Sequence, residues 1–231
     1  MRRVAMVSGA SRGIGLAIAR ELRADGFALS LGIRRPGDFA DPLASDDDVL
    51  LCAYEANDRT AGARWTDETI RRFGRIDVLV NNAGISRFVG LEDGSEDDLD
   101  AMLDLNVKAP FRVIRAALPH LKKSGSGRVV NLASLTGKRV LGLNAGYQMS
   151  KHAVVALTHA VRRAGWEHGI RATALCPGFV ETDMTARVTD MPREEMTDPN
   201  DLAKLVATVV MLPNNAAVAE LLVNCRYEHM L

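Results

Sequence analysis

The 231-residue sequence predicts an α/β fold, a doubly wound parallel sheet of about seven strands with helices on both faces. Three observations predict it. Short apolar runs alternate along the chain with stretches of helical periodicity, these runs are apolar on both faces as buried parallel strands require, and no linker or repeat divides the sequence. We therefore expect one domain that covers residues 1–231.

The elements follow one another in a regular order. Seven apolar runs are predicted to be strands: 3–8, 27–33, 48–54, 76–81, 128–133, 170–176 and 220–225. Helical periodicity covers five segments: 14–25, 58–73, 96–121, 147–168 and 199–212. Between the second and third runs, Pro36, Gly37, Pro42 and the acidic run 46–48 leave room only for a stunted helix.

Composition narrows the classes of function. The 29 basic residues balance the 29 acidic ones, so no net charge favours nucleic acid or an anionic membrane as a partner. No run approaches the roughly 20 apolar residues of a membrane-spanning helix. Three well-separated cysteines, Cys52, Cys176 and Cys225, are typical of reduced, buried thiols in a cytoplasmic protein. The histidines show no metal-ligand spacing, and we expect no metal site.

The stretch "VSGASRGIG" at residues 7–15 permits two interpretations. Gly9, Gly13 and Gly15 close the first strand and open the first helix, where glycines let a dinucleotide's phosphates approach a helix N-terminus. The same stretch matches G-x-S-x-G, the turn that presents a nucleophilic serine in hydrolases, with Ser11 as the nucleophile and His229 formally available as its base. In such hydrolases an oxyanion-hole loop precedes the serine in the chain, whereas Ser11 follows the very first strand, so hydrolysis is the remote alternative.

Tyr147 and Lys151 are separated by four residues, so on a helix they share one face. A nearby ammonium is expected to lower the pKa of the phenol towards physiological pH, which suits a general acid/base. Ser134 ends an apolar strand, at the sheet edge where ligands of open α/β sheets bind. On its own, such a pair on a helix is usually just a pair of surface neighbours.

Several motifs together resemble the classical short-chain dehydrogenase/reductase family, from residue 3 to about residue 228. They are "GASRGIG" at 9–15, "NNAG" at 81–84, Asn106 in "LNV", Ser134 in "NLAS", "YQMSK" at 147–151 and "CPGFVET" at 176–182. The resemblance implies a Rossmann-type fold, a nicotinamide cofactor, and hydride transfer to or from a small-molecule carbonyl or alcohol carbon. It also implies that the single dinucleotide-binding domain carries the catalytic and substrate site.

The resemblance assigns a role to each matching residue. Ser134 orients the substrate oxygen, Tyr147 gives or takes its proton, Lys151 also holds the nicotinamide ribose, and Asn106 bends its helix and holds a water that connects Lys151 to solvent. The implied cofactor contacts are Gly9, Ser11, Arg12, Gly13, Ile14, Gly15, Arg34, Arg35, Glu55, Ala56, Asn82, Ala83, Gly84, Tyr147, Lys151, Pro177, Gly178, Val180 and Thr182.

The residues after the second strand favour NADP(H) over NAD(H). Ile33 stands where an acid would bind the NAD ribose, and Arg34-Arg35 follows it. The guanidinium group of an arginine can bind a 2′-phosphate through two parallel hydrogen bonds, and Arg12 adds a cation inside the glycine loop. NAD(H) remains the alternative cofactor.

Two departures from the family pattern affect the expected chemistry. Glu55 stands where the family often has aspartate near the adenine, so that contact stays open. The segment 183–197 is short and charged where many relatives have a longer apolar lid. A small or medium substrate, with a 3-oxoacyl compound as one version, is therefore favoured over a bulky lipid.

The family usually forms tetramers through the helices that precede and contain the tyrosine. Here those helices, 106–121 and 147–165, are expected to expose apolar faces around Phe111, Ile114, Val154 and Leu157, which predicts a homotetramer. The rival class of function is a dinucleotide-sensing regulator that keeps the fold and lacks chemistry. The intact set of Asn106, Ser134, Tyr147 and Lys151 favours the enzyme.

Overall fold

The computed structural model describes residues 2–228, which contain one sheet of seven parallel strands. The strands are β1 Val4–Ser8, β2 Ala28–Ile33, β3 Val49–Ala53, β4 Val78–Asn81, β5 Arg128–Leu132, β6 Arg171–Pro177 and β7 Glu220–Val223. Their order is β3-β2-β1-β4-β5-β6-β7, and every neighbouring pair is parallel. The predicted fold class is confirmed, with strand bounds close to the predicted apolar runs.

Helices cover both faces of the sheet. They are α1 Gly13–Ala24, α2 Ala61–Phe73, α3 Glu96–Leu103, α4 Ala109–Lys123, α5 Ala145–Gly165 and α6 Pro199–Met211. Ile18 of α1 and Val206 of α6 are buried in the core on one face. Trp65 of α2, Val113 of α4 and Val161 of α5 are buried on the other. The strand order reverses between β1 and β4, and the loops after these two strands lie side by side at the carboxyl edge, where ligands of open α/β sheets bind.

The connection between β2 and β3 has no α-helix, as the prolines predict. Two short 3-10 turns, Pro36–Asp38 and Pro42–Ser45, replace it. Asp41 caps the second turn through its carboxylate, which accepts the Leu43 N–H at 3.0 Å. This leaves the carboxyl end of β2 open.

The predicted helix over 96–121 is interrupted. A π-helical turn, Asp104–Lys108, separates α3 from α4. Asn106 lies in this turn and is buried, and its side-chain amide forms hydrogen bonds with both backbone groups of Ile85. Periodicity could not show this interruption, because Ile85 is 21 residues away.

The prediction about exposed apolar faces is wrong for two residues. Ile114 and Val154 are 4% and 3% exposed and pack into the core on the inner sides of α4 and α5. Leu157 packs partly buried against the core, and Phe111, 45% exposed, remains on the surface. The sequence shows that these helices are amphipathic. Which of their apolar residues are buried depends on the side of each helix that packs against the sheet.

None of the helices within residues 2–228 has both the length and the apolar character needed to cross a membrane.

Candidate active site

The glycine loop connects β1 to α1 in a conformation that needs glycine. Gly9 and Gly13 have φ angles of +64° and +55°, in the left-handed region. At Gly15 a Cβ atom would lie 2.4 Å from both the Gly9 carbonyl oxygen and Asn82 Nδ2. The loop is therefore packed too tightly against the end of β4 to accept a side chain there.

Ser8 and Asn82 join the loop after β1 to the loop after β4. Ser8 Oγ accepts hydrogen bonds from the backbone N–H groups of Asn82 at 3.0 Å and Ala83 at 3.1 Å. In return, Asn82 Nδ2 donates to the carbonyl oxygens of Ser8 and Gly9, both at 3.1 Å. Sequence reasoning missed Ser8, because a serine at a strand end also indicates an ordinary turn.

The start of α1 can accept an anion. The N-cap residue, Arg12, makes no side-chain capping bond, and the first turn contains no acidic residue. The unpaired N–H groups of a helix N-terminus favour phosphate. Ser11 is exposed in the same loop, and Ile14 packs partly buried against the core. The glycine loop therefore fits the diphosphate of a dinucleotide.

The three predicted arginines differ in their surroundings. Arg34 is exposed directly after β2 and makes no ion pair within residues 2–228. Arg35 pairs with Asp38 at 3.1 Å, and Arg12 pairs across the loop with Asp183 at 3.0 Å. These pairs are exposed and hence weak, so Arg34 is the cation with the greatest freedom to bind an anion.

Glu55 and Ala56 lie after β3, next to the end of β2. Glu55 is exposed and Ala56 is buried, and the neighbouring Tyr54 N–H donates to the Ile33 carbonyl at 2.9 Å. No backbone hydrogen bond joins Glu55 or Ala56 to the glycine loop among the described residues. The position fits the outer, adenine end of an extended dinucleotide.

The segment after β6 approaches the glycine loop from the other side. Gly178 follows Pro177, and its N–H donates a hydrogen bond to the Val223 carbonyl oxygen at 2.8 Å. Val180 is buried, and a Cβ at Gly13 would lie 3.3 Å from Thr182 Cγ2. Thr182 therefore faces the loop where the resemblance places a cofactor contact.

Tyr147 and Lys151 lie on one face of α5, as their spacing predicts. Lys151 Nζ is 5.6 Å from the centre of the Tyr147 ring and donates to the Leu132 carbonyl oxygen at 2.7 Å. Gly84 lies close to this amine: a Cβ at Gly84 would be 3.8 Å from Lys151 Nζ and 3.3 Å from Asn106 Oδ1. The loop after β4 thus reaches Lys151 and Asn106.

Asn106 connects this loop to α5. Its Oδ1 accepts the Ile85 N–H and its Nδ2 donates to the Ile85 carbonyl, both at 2.9 Å. Nδ2 also donates to Ser150 Oγ at 3.1 Å, and Ser150 in turn donates to the Tyr147 carbonyl at 2.8 Å. Sequence reasoning missed Ser150, although it lies inside the quoted "YQMSK" stretch.

Ser134 follows β5 and completes the group. Its hydroxyl accepts the Thr136 N–H at 3.2 Å and donates to the Pro177 carbonyl at 3.4 Å, and it lies near enough to the Tyr147 phenol to affect the pKa of that group. Asn106, Ser134, Tyr147 and Lys151 therefore meet at the carboxyl edge of the sheet, beside Gly84.

Burial sets the acid strength of the two central groups. It raises the pKa of Tyr147 to about 12, against a smaller lowering by the neighbouring Ser134 hydroxyl. It lowers the pKa of Lys151 to about 8. The expectation that Lys151 lowers the pKa of Tyr147 is wrong in this structure, because Nζ is bonded to Leu132 and loss of hydration dominates for the phenol.

The hydrolase interpretation finds no support. Ser11 is exposed, and no hydrogen bond joins it to a histidine within residues 2–228. His152 and His159 bond instead to the Gln148 carbonyl and the Glu220 carboxylate. His229 lies outside the described residues.

A parallel sheet with a glycine-rich first turn and a lysine–tyrosine pair at the same edge defines a class of nucleotide-binding α/β proteins. The family model described as short chain dehydrogenase matches residues 3–193. The chain belongs to this family of nicotinamide-dependent oxidoreductases, as its motifs predict.

Comparison with individual proteins agrees with this membership. An agropine synthesis reductase of Rhizobium rhizogenes is 41% identical over 227 residues, which cover 97% of this chain and 53% of the relative. The chain thus spans about half the length of the first such relatives. A protein of Streptomyces virginiae, provisionally named a ketoacyl reductase of monensin polyketide synthase, is 41% identical over 192 residues. The aligned region covers 80% of this chain and 74% of that protein.

A solved structure has the same fold over its full length. The alcohol dehydrogenase of the archaeon Thermococcus sibiricus, complexed with 5-hydroxy-NADP, superposes with a TM-score of 0.87 at 30% identity. The match covers 99% of both chains.

Proposed function

We propose that this chain is an NADP(H)-preferring oxidoreductase that transfers a hydride between the nicotinamide and a small or medium carbonyl or alcohol substrate. The carrying observation is the meeting of Ser134, Tyr147 and Lys151 beside the glycine loop and Gly84. The reductase and dehydrogenase names of the relatives support it.

The cofactor residues act by binding and orientation. The loop of Gly9, Gly13 and Gly15 and the start of α1 hold the diphosphate, while Lys151 Nζ, which lies next to Gly84, binds the ribose. When bound, the reduced nicotinamide supplies the hydride. Asn82 keeps the loops after β1 and β4 together through its hydrogen bonds to the carbonyl oxygens of Ser8 and Gly9.

The catalytic residues handle the substrate oxygen. Ser134 Oγ donates a hydrogen bond to this oxygen and stabilises the charge that develops there. The Tyr147 phenol, with its pKa near 12, is protonated at neutral pH and gives its proton to the same oxygen. Lys151, with a pKa near 8, is still mainly protonated at pH 7, so its ammonium group can donate hydrogen bonds to the ribose.

The preference for NADP(H) rests on the end of β2. Arg34 is exposed and free of ion pairs within the described residues, and Ile33 supplies no carboxylate to repel a 2′-phosphate. The Thermococcus relative was solved with an NADP derivative, which supports the same choice.

The substrate class follows from the segment after Thr182. It forms only two short 3-10 turns, Asp183–Thr185 and Arg193–Glu195, with Met191 and Met196 buried beneath them. A short cover of this kind suits a small or medium carbonyl compound, of which a 3-oxoacyl compound is one version. The ketoacyl reductase name of one relative is consistent with that version.

We further propose that residues 1–231 act as one domain in a cytoplasmic homotetramer. Exposed Phe111 on α4 and Met149 on α5, 45% and 55% exposed, replace the two mispredicted residues as candidates for the interface. Light scattering that gives a monomer mass of about 25 kDa at micromolar concentration would contradict the tetramer.

The direct test is a panel of carbonyl compounds, followed by nicotinamide absorbance with NADPH and with NADH. We expect turnover of at least one small or medium ketone or aldehyde, faster with NADPH at low cofactor concentration. Tight NADPH binding with no turnover across the panel would instead favour the regulator.

A further inference from the structure

A buried ion pair links the segment after β7 to the loop that follows Ser134. We call residues 224–228 the post-β7 segment. Arg139 Nε and Nη2 donate to the two carboxylate oxygens of Glu228 at 2.5 and 2.7 Å. The two side chains are 7% and 10% exposed. A bidentate pair so well shielded from water is both directional and strong, unlike the exposed pairs on this surface.

Arg139 lies beside the turn that begins at Ser134. The Arg139 N–H donates to the Leu135 carbonyl at 3.2 Å, and Leu135 opens the 3-10 turn that Ser134 caps. Gly137, in the same turn, packs so closely on α5 that a Cβ there would lie 2.7 Å from the Lys151 carbonyl oxygen. A shift of Arg139 is therefore transmitted to the backbone around both Ser134 and Lys151.

The post-β7 segment is also attached to the loop after β6. A Cβ at Gly178 would lie 3.0 Å from Asn224 Oδ1, and the Arg226 guanidinium lies 5.4 Å from the centre of the Phe179 ring. A hydrogen bond with Asn224 and the charge of Arg226 both act on the Glu228 carboxylate. The segment thus holds together the loops that carry Ser134 and Pro177, which the Ser134 hydroxyl joins.

We infer that Glu228 is a positioning residue of the catalytic site, which acts through Arg139 on the orientation of Ser134. The inference rests on the proposed function for the role of Ser134. Glu228 touches neither substrate nor cofactor in this assignment. Its carboxylate is the sole counter-charge within hydrogen-bond distance of Arg139 among residues 2–228, so its loss leaves a buried guanidinium uncompensated. Relaxation of Arg139 towards water would then displace the turn at residues 135–137.

The test replaces Glu228 with Gln, which keeps the shape and removes the charge. We expect kcat to fall about tenfold or more while the dissociation constant for NADPH rises by a clearly smaller factor, about threefold at most, because the segment is attached to the loops around Ser134, Lys151 and Pro177 and not to the glycine loop that holds the diphosphate. Amide hydrogen exchange of residues 135–143 should accelerate about tenfold with that of residues 9–15 unchanged. Glu228→Asp, which keeps the carboxylate, should recover most of the lost kcat.

The control is Asp201→Asn, which breaks an exposed ion pair with Lys204 on α6 and should change none of these quantities. A folded Glu228→Gln protein with unchanged kcat and unchanged exchange at 135–143 would overturn the inference. So would a uniform increase of exchange over the whole chain, which indicates a purely stabilising pair. If the unaltered protein reduces no compound, the proposed function fails, and the exchange pattern still decides whether Glu228 holds this loop.

Discussion

Lys151 and Leu132 are joined by a hydrogen bond of 2.7 Å from the side-chain amine to a backbone carbonyl oxygen. Leu132 ends β5, two residues before Ser134, so this bond ties α5 to the strand that carries the serine. The separation between Tyr147 and Ser134 is therefore set by a strand and a helix, which are stiffer than loops. Sites on such elements hold catalytic geometry more closely.

Removal of the Tyr147 hydroxyl tests the proton transfer. Tyr147→Phe should reduce kcat by about 10²–10⁴, the usual contribution of a positioned acid, and leave the NADPH dissociation constant within a few-fold. Steady-state kinetics and fluorescence titration measure the two quantities. Tyr54→Phe is the matched control, because it removes the same atom from a buried tyrosine that packs on Trp65. Near-full reductase activity of Tyr147→Phe would contradict the proposal.

Replacement of Lys151 should separate activity from stability. Burial lowers the pKa of Lys151 to about 8 from 10.5, so the folded state binds fewer protons than the unfolded state between these values, and Lys151 makes stability rise with pH there. Below pH 8 the cost of the buried charge is present in full. Lys151→Met should therefore raise the melting temperature by a few degrees at pH 7 while it abolishes turnover and weakens NADPH binding.

The stabilisation by Lys151→Met should shrink towards pH 10, where the amine of the unaltered protein is neutral. Thermal denaturation of both proteins across this range checks the sign. A melting temperature that falls at pH 7, or a difference that grows with pH, would show that the hydrogen bond to Leu132 outweighs the cost of burying the charge.

The end of β2 should control the choice of cofactor. Arg34→Ala is expected to weaken NADPH binding at least tenfold, or about 1.4 kcal/mol, and to leave NADH binding unchanged, because NADH lacks the 2′-phosphate. Arg35→Ala should have a smaller effect, since Asp38 already pairs with that guanidinium. The control is Arg64→Ala, which breaks an exposed ion pair between Arg64 on α2 and Asp58, just before that helix. Equal loss for both cofactors would refute a phosphate role for Arg34.

The addition of a single methyl group at Gly15 tests how tightly the glycine loop is packed. Gly15→Ala places a Cβ 2.4 Å from the Gly9 backbone oxygen, so the loop must move, and we expect NADPH affinity to fall more than tenfold with a loss of about 1–3 kcal/mol in stability. Gly37→Ala is the control, because no atom lies within 4 Å of its added Cβ. If Gly15→Ala kept the NADPH affinity of the unaltered protein, the loop would accommodate the Cβ without loss of binding, and the prediction would be wrong.

The sequence predicts the fold well, because strand and helix periods depend on neighbours close along the chain. The meeting of Tyr147 and Lys151 follows from the helical period alone. The pairing of Asn106 with Ile85, or of Arg139 with Glu228 across 89 residues, depends on tertiary contacts that no local pattern encodes. The pKa of Tyr147 was mispredicted for a related reason: spacing shows a neighbouring charge, but burial is a property of the folded chain.

The π turn at Asp104–Lys108 has a consequence for how such a site can arise. A π turn closes its hydrogen bonds one residue further along than an α-helix does, so it holds one extra residue. Deletion of Val107 would let α3 and α4 join as one helix with their buried faces still directed at the sheet. The amide of Asn106 would then lose its place beside Ile85 and Ser150. In evolutionary terms, a single codon gained or lost here moves this amide into or out of the site while the strands and the other helices stay in place.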